Sequence, residues 1–249
     1  MTNDLSGKSA LVTGASGGLG LHFARLLAAQ GAAVALAARR IDALEKVCAD
    51  IHEAGGTARA IALDVADAGS VAAAFAGAEP FDIVVNNAGV SGAGRALELS
   101  EEAWDAVFDV NLKGAFLVAK HAAAAMKAAG RGGAIVNVAS IAGLRVAGDL
   151  SAYSASKAGL VQLTKALALE WARFGIRVNA LCPGYVETDI NRDFFATPAG
   201  EAMIRRIPQR RLGRPEDLDG PLLLLASDAG GYMTGAVVAV DGGHLLSSL

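Results

Sequence analysis

The sequence predicts an α/β fold, a doubly wound parallel sheet of about seven strands flanked by helices. Three observations predict it. Short apolar or β-branched runs alternate with longer helical patterns along all 249 residues. The short runs are apolar at nearly every position, as expected of strands in a parallel sheet covered on both faces. The first run also passes directly into a glycine-rich turn and a helix, the start of a βαβ unit.

In chain order, strands are read near 8–13 (KSALVT), 33–38 (AVALAA), 58–63, 82–85 (DIVV), 134–139 (AIVNVA), 176–181 and 236–240. Helices are read between them near 18–30, 41–54, 67–76, 101–129, 152–174 and 215–227. Right-handed crossovers wind such a chain outward on both sides of its first strand. Neither a linker nor an internal repeat divides the chain, so residues 1–249 are expected to form one domain. The exception to the alternation is 189–214, a polar stretch with Pro198 and Pro208, which reads as an inserted helical flap.

Apolar residues make up 53% and charged residues 19%, a globular and not a disordered balance. A net charge of −3 gives no electrostatic footprint for nucleic acid or for an anionic membrane. No apolar run reaches membrane-spanning length, and the N-terminal MTNDLSGK lacks a signal pattern. Cys48 and Cys182 form no disulfide framework or metal spacing. His22, His52, His121 and His244 stand in no metal-like or triad-like setting and read as structural or exposed. A cytoplasmic protein without a metal is therefore expected.

The turn after the first strand reads Thr13-Gly14-Ala15-Ser16-Gly17-Gly18-Leu19-Gly20. Its glycines let backbone approach a ligand closely, and the helix behind it offers free N–H groups and a positive dipole end to a pyrophosphate. By itself this spacing also fits a plain connecting turn; its place between first strand and first helix favours a dinucleotide. An NAD site wants a carboxylate at the end of the second strand. Here stand Ala37, Ala38, Arg39 and Arg40, and two guanidiniums suit a 2′-phosphate. NADP(H) is favoured on that ground, and NAD(H) stays open.

Tyr153 precedes Lys157 by one helical turn in SAYSASKAG, so the two side chains share a face. A phenol of ordinary pKa, about 10, moves protons poorly near neutrality, and an adjacent ammonium would lower it. Taken singly, these are a helix-start aromatic and a solvated lysine.

Together, TGASGGLG, Asp64-Val65, NNAG (86–89), Asn111 in VNLKG, Ser140 in VNVASIAG, Tyr153-x-x-x-Lys157 and VNALCPGYVET resemble the short-chain dehydrogenase/reductase family over essentially the whole chain. The resemblance implies a Rossmann-type domain and a catalytic group of Asn111, Ser140, Tyr153 and Lys157, with Tyr153 as acid/base. Ser140 would donate to the substrate oxygen, and Asn111 would hold a water that relays protons to Lys157. Gly14, Ser16, Gly18, Leu19, Gly20, Arg39 and Arg40 would hold the phosphates, and Asp64 and Val65 would border the adenine. Asn87, Ala88 and Gly89 would line the cleft, with Lys157 on the nicotinamide ribose. Pro183, Gly184, Val186 and Thr188 would hold the carboxamide. The resemblance also implies a homotetramer, in keeping with helices 101–129 and 152–174 that are apolar on more than one face.

These residues point to hydride transfer between a nicotinamide and a small carbonyl or alcohol substrate, with NADPH-dependent reduction favoured. A sugar or polyol dehydrogenase and a 3-oxoacyl thioester reductase stay open within that class. A non-catalytic NADP-binding sensor or scaffold is the alternative from another class. Val146, Tyr185, Phe194 and Phe195 are expected pocket walls. The arginines at 205, 206, 210, 211 and 214 either meet an anionic tail, such as a carboxylate or phosphopantetheine, or form a solvated face; the second reading is favoured.

Overall fold

The computed structural model describes residues 4–187 and 192–247, without the side chains of Arg192 and Phe194. Among these residues seven strands make one wholly parallel sheet: β1 (Ser9–Thr13), β2 (Ala33–Ala38), β3 (Thr57–Ala62), β4 (Ile83–Asn86), β5 (Gly133–Val138), β6 (Ile176–Pro183) and β7 (Val237–Val240). Their order is β3-β2-β1-β4-β5-β6-β7. The chain starts at the centre, winds out to β3, then returns to place β4 beside β1. That reversal opens a crevice at the carboxyl ends of β1 and β4, the place where such sheets bind ligands.

The strands send alternate side chains to two cores. Ala10 and Val12 of β1 face a cluster with Phe23, Leu27, Leu36, Leu222 and Leu225, under α1 (Gly18–Ala29), α2 (Ile41–Glu53) and a later helix at Asp219–Ala226. Leu11 faces the opposite side, with Val84, Ile135, Met126 and Leu167, under α3 (Ala68–Phe75), α5 (Ala115–Ala128) and α6 (Ser151–Trp171). Each fully buried leucine here contributes about 1.5–3 kcal/mol. A polar chain crosses the second side. Asn86 Nδ2 donates to Asn137 Oδ1 (2.9 Å), Asn137 Nδ2 to Thr164 Oγ1 (2.8 Å), and Thr164 Oγ1 to the Leu160 carbonyl (2.8 Å). It ties β4, β5 and α6 together directly below the crevice.

Strand positions match the sequence expectation to within a residue or two, and the stretch expected as one helix at 101–129 is helical from Glu101 to Ala128, though not α-helical throughout. α4 (Glu101–Phe108) passes into a π turn, Asp109–Gly114, before α5 begins. The turn is wound around Asn111, whose side chain is wholly buried and bound to the neighbouring loop. Two short helices, α7 (Arg192–Phe195) and α8 (Pro198–Ile204), follow β6 in the region expected to be a flap. Thr197 caps α8 by accepting from the Gly200 N–H. The helix at Asp219–Ala226 is α9.

Candidate active site

The turn after β1 wraps tightly against the end of β4. Gly14 has φ +66°, and a Cβ there would lie 2.9 Å from Ala88 Cα, so only glycine fits both conformation and space. Thr13 fastens the two segments together. Its Oγ1 accepts from the N–H groups of Asn87 and Ala88, both at 3.0 Å, while Asn87 Nδ2 donates back to the Thr13 carbonyl at 3.0 Å. Asn87 thus anchors this wall as well as lining it, and the sequence reading gave Thr13 no role. Gly18, Leu19 and Gly20 open α1, where no side chain caps the first turn. N–H groups of a helix's first turn left without a side-chain cap are a donor set suited to a pyrophosphate.

Arg39 and Arg40 follow β2 on the exposed surface. Arg40 Nη2 donates to Ser16 Oγ at 3.1 Å, which brings a guanidinium and a hydroxyl together beside the glycine turn. Asp64 and Val65 follow β3. Asp64 Oδ1 accepts from the Ala66 N–H at 3.0 Å and shapes a tight turn, and Val65 is buried beneath it.

At the carboxyl end of β5 stands Ser140, whose Oγ accepts from the Ala142 N–H at 3.0 Å. Its side chain lies close enough to the Tyr153 phenol to oppose the rise of that group's pKa. Lys157, one turn along α6, is buried, and its Nζ donates to the Val138 carbonyl at 2.8 Å. Burial pulls this ammonium down to about 8. The expected effect of Lys157 on the phenol is corrected here. Its Nζ lies over the Tyr153 ring, 5.8 Å from the centroid, and is held by a carbonyl of β5. Burial instead raises the Tyr153 phenol, with Tyr185 and Cys182 adding to the rise and the Ser140 side chain opposing it. The protein alone therefore keeps Tyr153 as a neutral acid near pH 7.

Asn111 closes the site from the side. Its Nδ2 donates to the Val90 carbonyl (2.9 Å) and to Ser156 Oγ (3.1 Å), and its Oδ1 accepts from the Val90 N–H (2.8 Å). Ser156 Oγ in turn donates to the Tyr153 carbonyl at 2.8 Å. Both amide donors are thus spent on holding the loop and helix, which leaves one lone pair of Oδ1 for the expected water. Gly89 lies between the parts: a Cβ on it would sit 3.2 Å from Asn111 Oδ1 and 3.5 Å from Lys157 Nζ. Glycine keeps that gap open.

Beyond β6, Gly184 packs on Asp241, and Gly213 takes up the Tyr185 carbonyl and the Glu187 N–H. Val186 is buried between them, next to Pro183 and Gly184 as expected. Thr188 lies outside the described residues, as does the side chain of Phe194. The remaining expected pocket walls part company. Tyr185 and Phe195 meet edge-to-face at 5.7 Å. Val146 is 84% exposed on the rim of a cavity of about 760 Å³ lined by Leu144, Ser154 and Ala158. Ser154 and Ala158 are a turn apart on α6, and Tyr185 is not among the residues that line this cavity. His244, read as structural or exposed, packs its ring 5.3 Å from that of Tyr185. Cys182 is fully buried and its thiol is pushed up to about 11, an inert packing residue. Arg211 pairs with Asp217 through contacts of 2.6 and 3.1 Å and Arg205 with Glu201 at 3.5 Å, in keeping with a solvated face.

The family model described as enoyl-(acyl carrier protein) reductase matches residues 14–244. D-threitol dehydrogenase of Mycolicibacterium smegmatis is 41% identical over 97% of this chain and 94% of its own length. Galactitol 2-dehydrogenase (L-tagatose-forming) of Cereibacter sphaeroides is 42% identical over 96% of each chain. A gluconate 5-dehydrogenase from Burkholderia cenocepacia, solved with NADP and tartrate, superposes with a TM-score of 0.94 at 34% identity, covering 99% of this chain and 98% of that one. The chain belongs to the short-chain dehydrogenase/reductase family. As a member it is an NAD(P)-dependent oxidoreductase acting on CH–OH and C=O groups, and the sensor or scaffold reading is the weaker one. The seven-stranded parallel sheet flanked by helices is that family's fold. Among the described residues no helix is long and apolar enough to cross a membrane.

Proposed function

We propose that the protein is an NADPH-dependent reductase of a small secondary carbonyl, with Tyr153 as proton donor, Ser140 as hydrogen-bond donor to the substrate oxygen, and Lys157 and Asn111 as proton supply. The observation that carries this reading is the group of Ser140, Tyr153 and buried Lys157 at the carboxyl end of β5. Bound NADPH supplies the hydride. The carbonyl oxygen then gains negative charge, which the Ser140 and Tyr153 hydroxyls meet with donors already in place. A phenol raised by burial stays protonated at neutral pH and can give its proton up. Lys157, at about 8, is close enough to neutrality to replace that proton, and Asn111 Oδ1 faces the same glycine, Gly89, to hold the water that would relay it.

The residues fit the cofactor: an uncapped first turn on α1 for the pyrophosphate, and a Lys157 ammonium with donors to spare for a ribose diol. Gly14, Gly18, Leu19 and Gly20 would bear the pyrophosphate. Asp64 and Val65 would take the adenine, Asn87, Ala88 and Gly89 the cleft wall, and Pro183, Gly184 and Val186 the carboxamide. The pairing of Arg40 with Ser16 supports NADP(H) over NAD(H), with Arg39 beside them. Relatives named for D-threitol and galactitol support a polyol or hydroxyketone couple, and the name of the matched family model keeps an acyl thioester in view.

The chain is further proposed to be one domain over 1–249 with 189–214 as a flap over the substrate, cytoplasmic, and a homotetramer. Leu169 of α6, 85% exposed, supports burial against another subunit. Oxidation of NADPH and NADH followed at 340 nm against ketones, hydroxyketones and acyl thioesters tests the reading. Turnover faster with NADPH is expected; cofactor binding without turnover on the whole panel would overturn it.

A further inference from the structure

Tyr185 is held in place from every side yet keeps its hydroxyl uncommitted. It leaves β6 two residues after Pro183, where Gly184 packs so closely on Asp241 that a Cβ would lie 2.7 Å from Asp241 Cα. Its carbonyl accepts from the Gly213 N–H at 2.9 Å. Its ring stands edge-to-face on Phe195 at 5.7 Å and tilted on His244 at 5.3 Å. His244 is fixed in turn, because Arg145 Nη1 donates to its carbonyl at 2.7 Å and to Ser247 at 3.2 Å (carbonyl) and 3.0 Å (Oγ). Arg145 belongs to the loop of Ser140, with its N–H on the Ile141 carbonyl at 2.8 Å. The chain's last described residues therefore bridge the Ser140 loop to the Tyr185 ring.

β5 and β6 are neighbours with Val138 opposite Leu181, so Ser140 and Tyr185 leave adjacent strand ends and face the same crevice. The Tyr185 phenol is near enough to affect that of Tyr153, and Arg145 lies close to it. No protein group among the described residues takes a hydrogen bond from the Tyr185 hydroxyl. A phenol so placed can both donate and accept, and its partner has to come from what occupies the crevice.

Resting on the reading of Tyr153 as acid/base, we infer that Tyr185 hydrogen-bonds a hydroxyl on the carbon next to the reacting one, so that the site selects vicinal diols and α-hydroxy ketones. A pocket that offers a polar partner rejects an analogue lacking the matching group far better than an apolar pocket rejects an added one.

The test compares matched pairs on the full-length enzyme: acetoin against butan-2-one with NADPH, and cyclohexane-1,2-diol isomers against cyclohexanol with NADP⁺. Tyr185→Phe removes the hydroxyl and keeps the ring between Phe195 and His244. The wild type is expected to favour the hydroxylated member of each pair by about tenfold or more in kcat/KM, the discrimination one hydrogen bond supplies. Tyr185→Phe should lose that preference, its kcat/KM falling about tenfold more on the hydroxylated member than on the unsubstituted one, with the cofactor KM unchanged within about twofold and the melting temperature within a degree or two. Equal loss on both members, no loss on either, or a wild type without preference would overturn the inference. Tyr153→Phe separates this from the underlying reading: if it keeps full turnover, the acid/base assignment fails, whatever Tyr185 does.

Discussion

Lys157→Met should make the protein more stable and inactive, and the size of the gain follows from burial. The ammonium is almost wholly inaccessible and is pulled from 10.5 to about 8. That gap corresponds to about 3 kcal/mol of cost for holding the charge in the fold at neutral pH, at about 1.4 kcal/mol per tenfold step. Losing the donor to the Val138 carbonyl returns about 1–2 kcal/mol of it. The net gain is about 1–2 kcal/mol, or a rise in Tm of about 2–8 °C for a chain of this size. The pH dependence identifies the cause. Because the folded value lies below the unfolded one, the unfolded wild type holds the extra proton between about pH 8 and 10.5, and wild-type stability climbs across that window. Urea unfolding of both proteins at pH 7 and pH 10 should therefore show the variant ahead at pH 7 and its lead gone or reversed at pH 10, since wild type gains about 2–3 kcal/mol over that span. A variant less stable than wild type at pH 7, or a lead that does not shrink with pH, would refute the reasoning.

Two other substitutions probe the cofactor and the frame of the site. Arg40→Ala should raise the KM for NADPH about tenfold while leaving that for NADH nearly unchanged, because one exposed charge-assisted contact to a phosphate is lost; equal effects on both cofactors would make the arginine a mere surface charge. Ser156→Ala leaves Asn111 Nδ2 and the Tyr153 carbonyl without their shared partner inside the protein. It should cost about 1–3 kcal/mol in urea unfolding and lower kcat, with cofactor KM unchanged. Ser154→Ala, whose hydroxyl has no hydrogen-bond partner among the described residues, should match wild type in the same assays.

Strands were legible in the sequence because most are short, nearly continuous apolar runs, as a parallel sheet covered on both faces requires. The glycine turn and the pair of Tyr153 with Lys157 were legible for a different reason: their spacing is itself the geometry. What the sequence did not give are contacts made at a distance along the chain. The π turn at 109–114 exists because Asn111 reaches the loop at Val90, 21 residues back, which no local pattern announces. Arg145 and His244 meet across 99 residues, so the last segment's part in shaping the site was invisible until the fold joined them. The protonation of Tyr153 was misjudged for a related reason, since burial and the neighbouring phenol outweigh a lysine that is held by a backbone carbonyl. Spacing told which groups are near each other; only packing told how wet they are.

The central claim is that Tyr153 moves the proton. Tyr153→Phe keeps the ring beside Lys157 and removes only the phenol oxygen. With NADPH and the best carbonyl substrate found for the wild type, single-turnover rates should fall by about 10²–10⁴-fold while the Kd for NADPH, from its fluorescence titration, stays unchanged. A variant that keeps more than about a tenth of the wild-type rate would contradict the account.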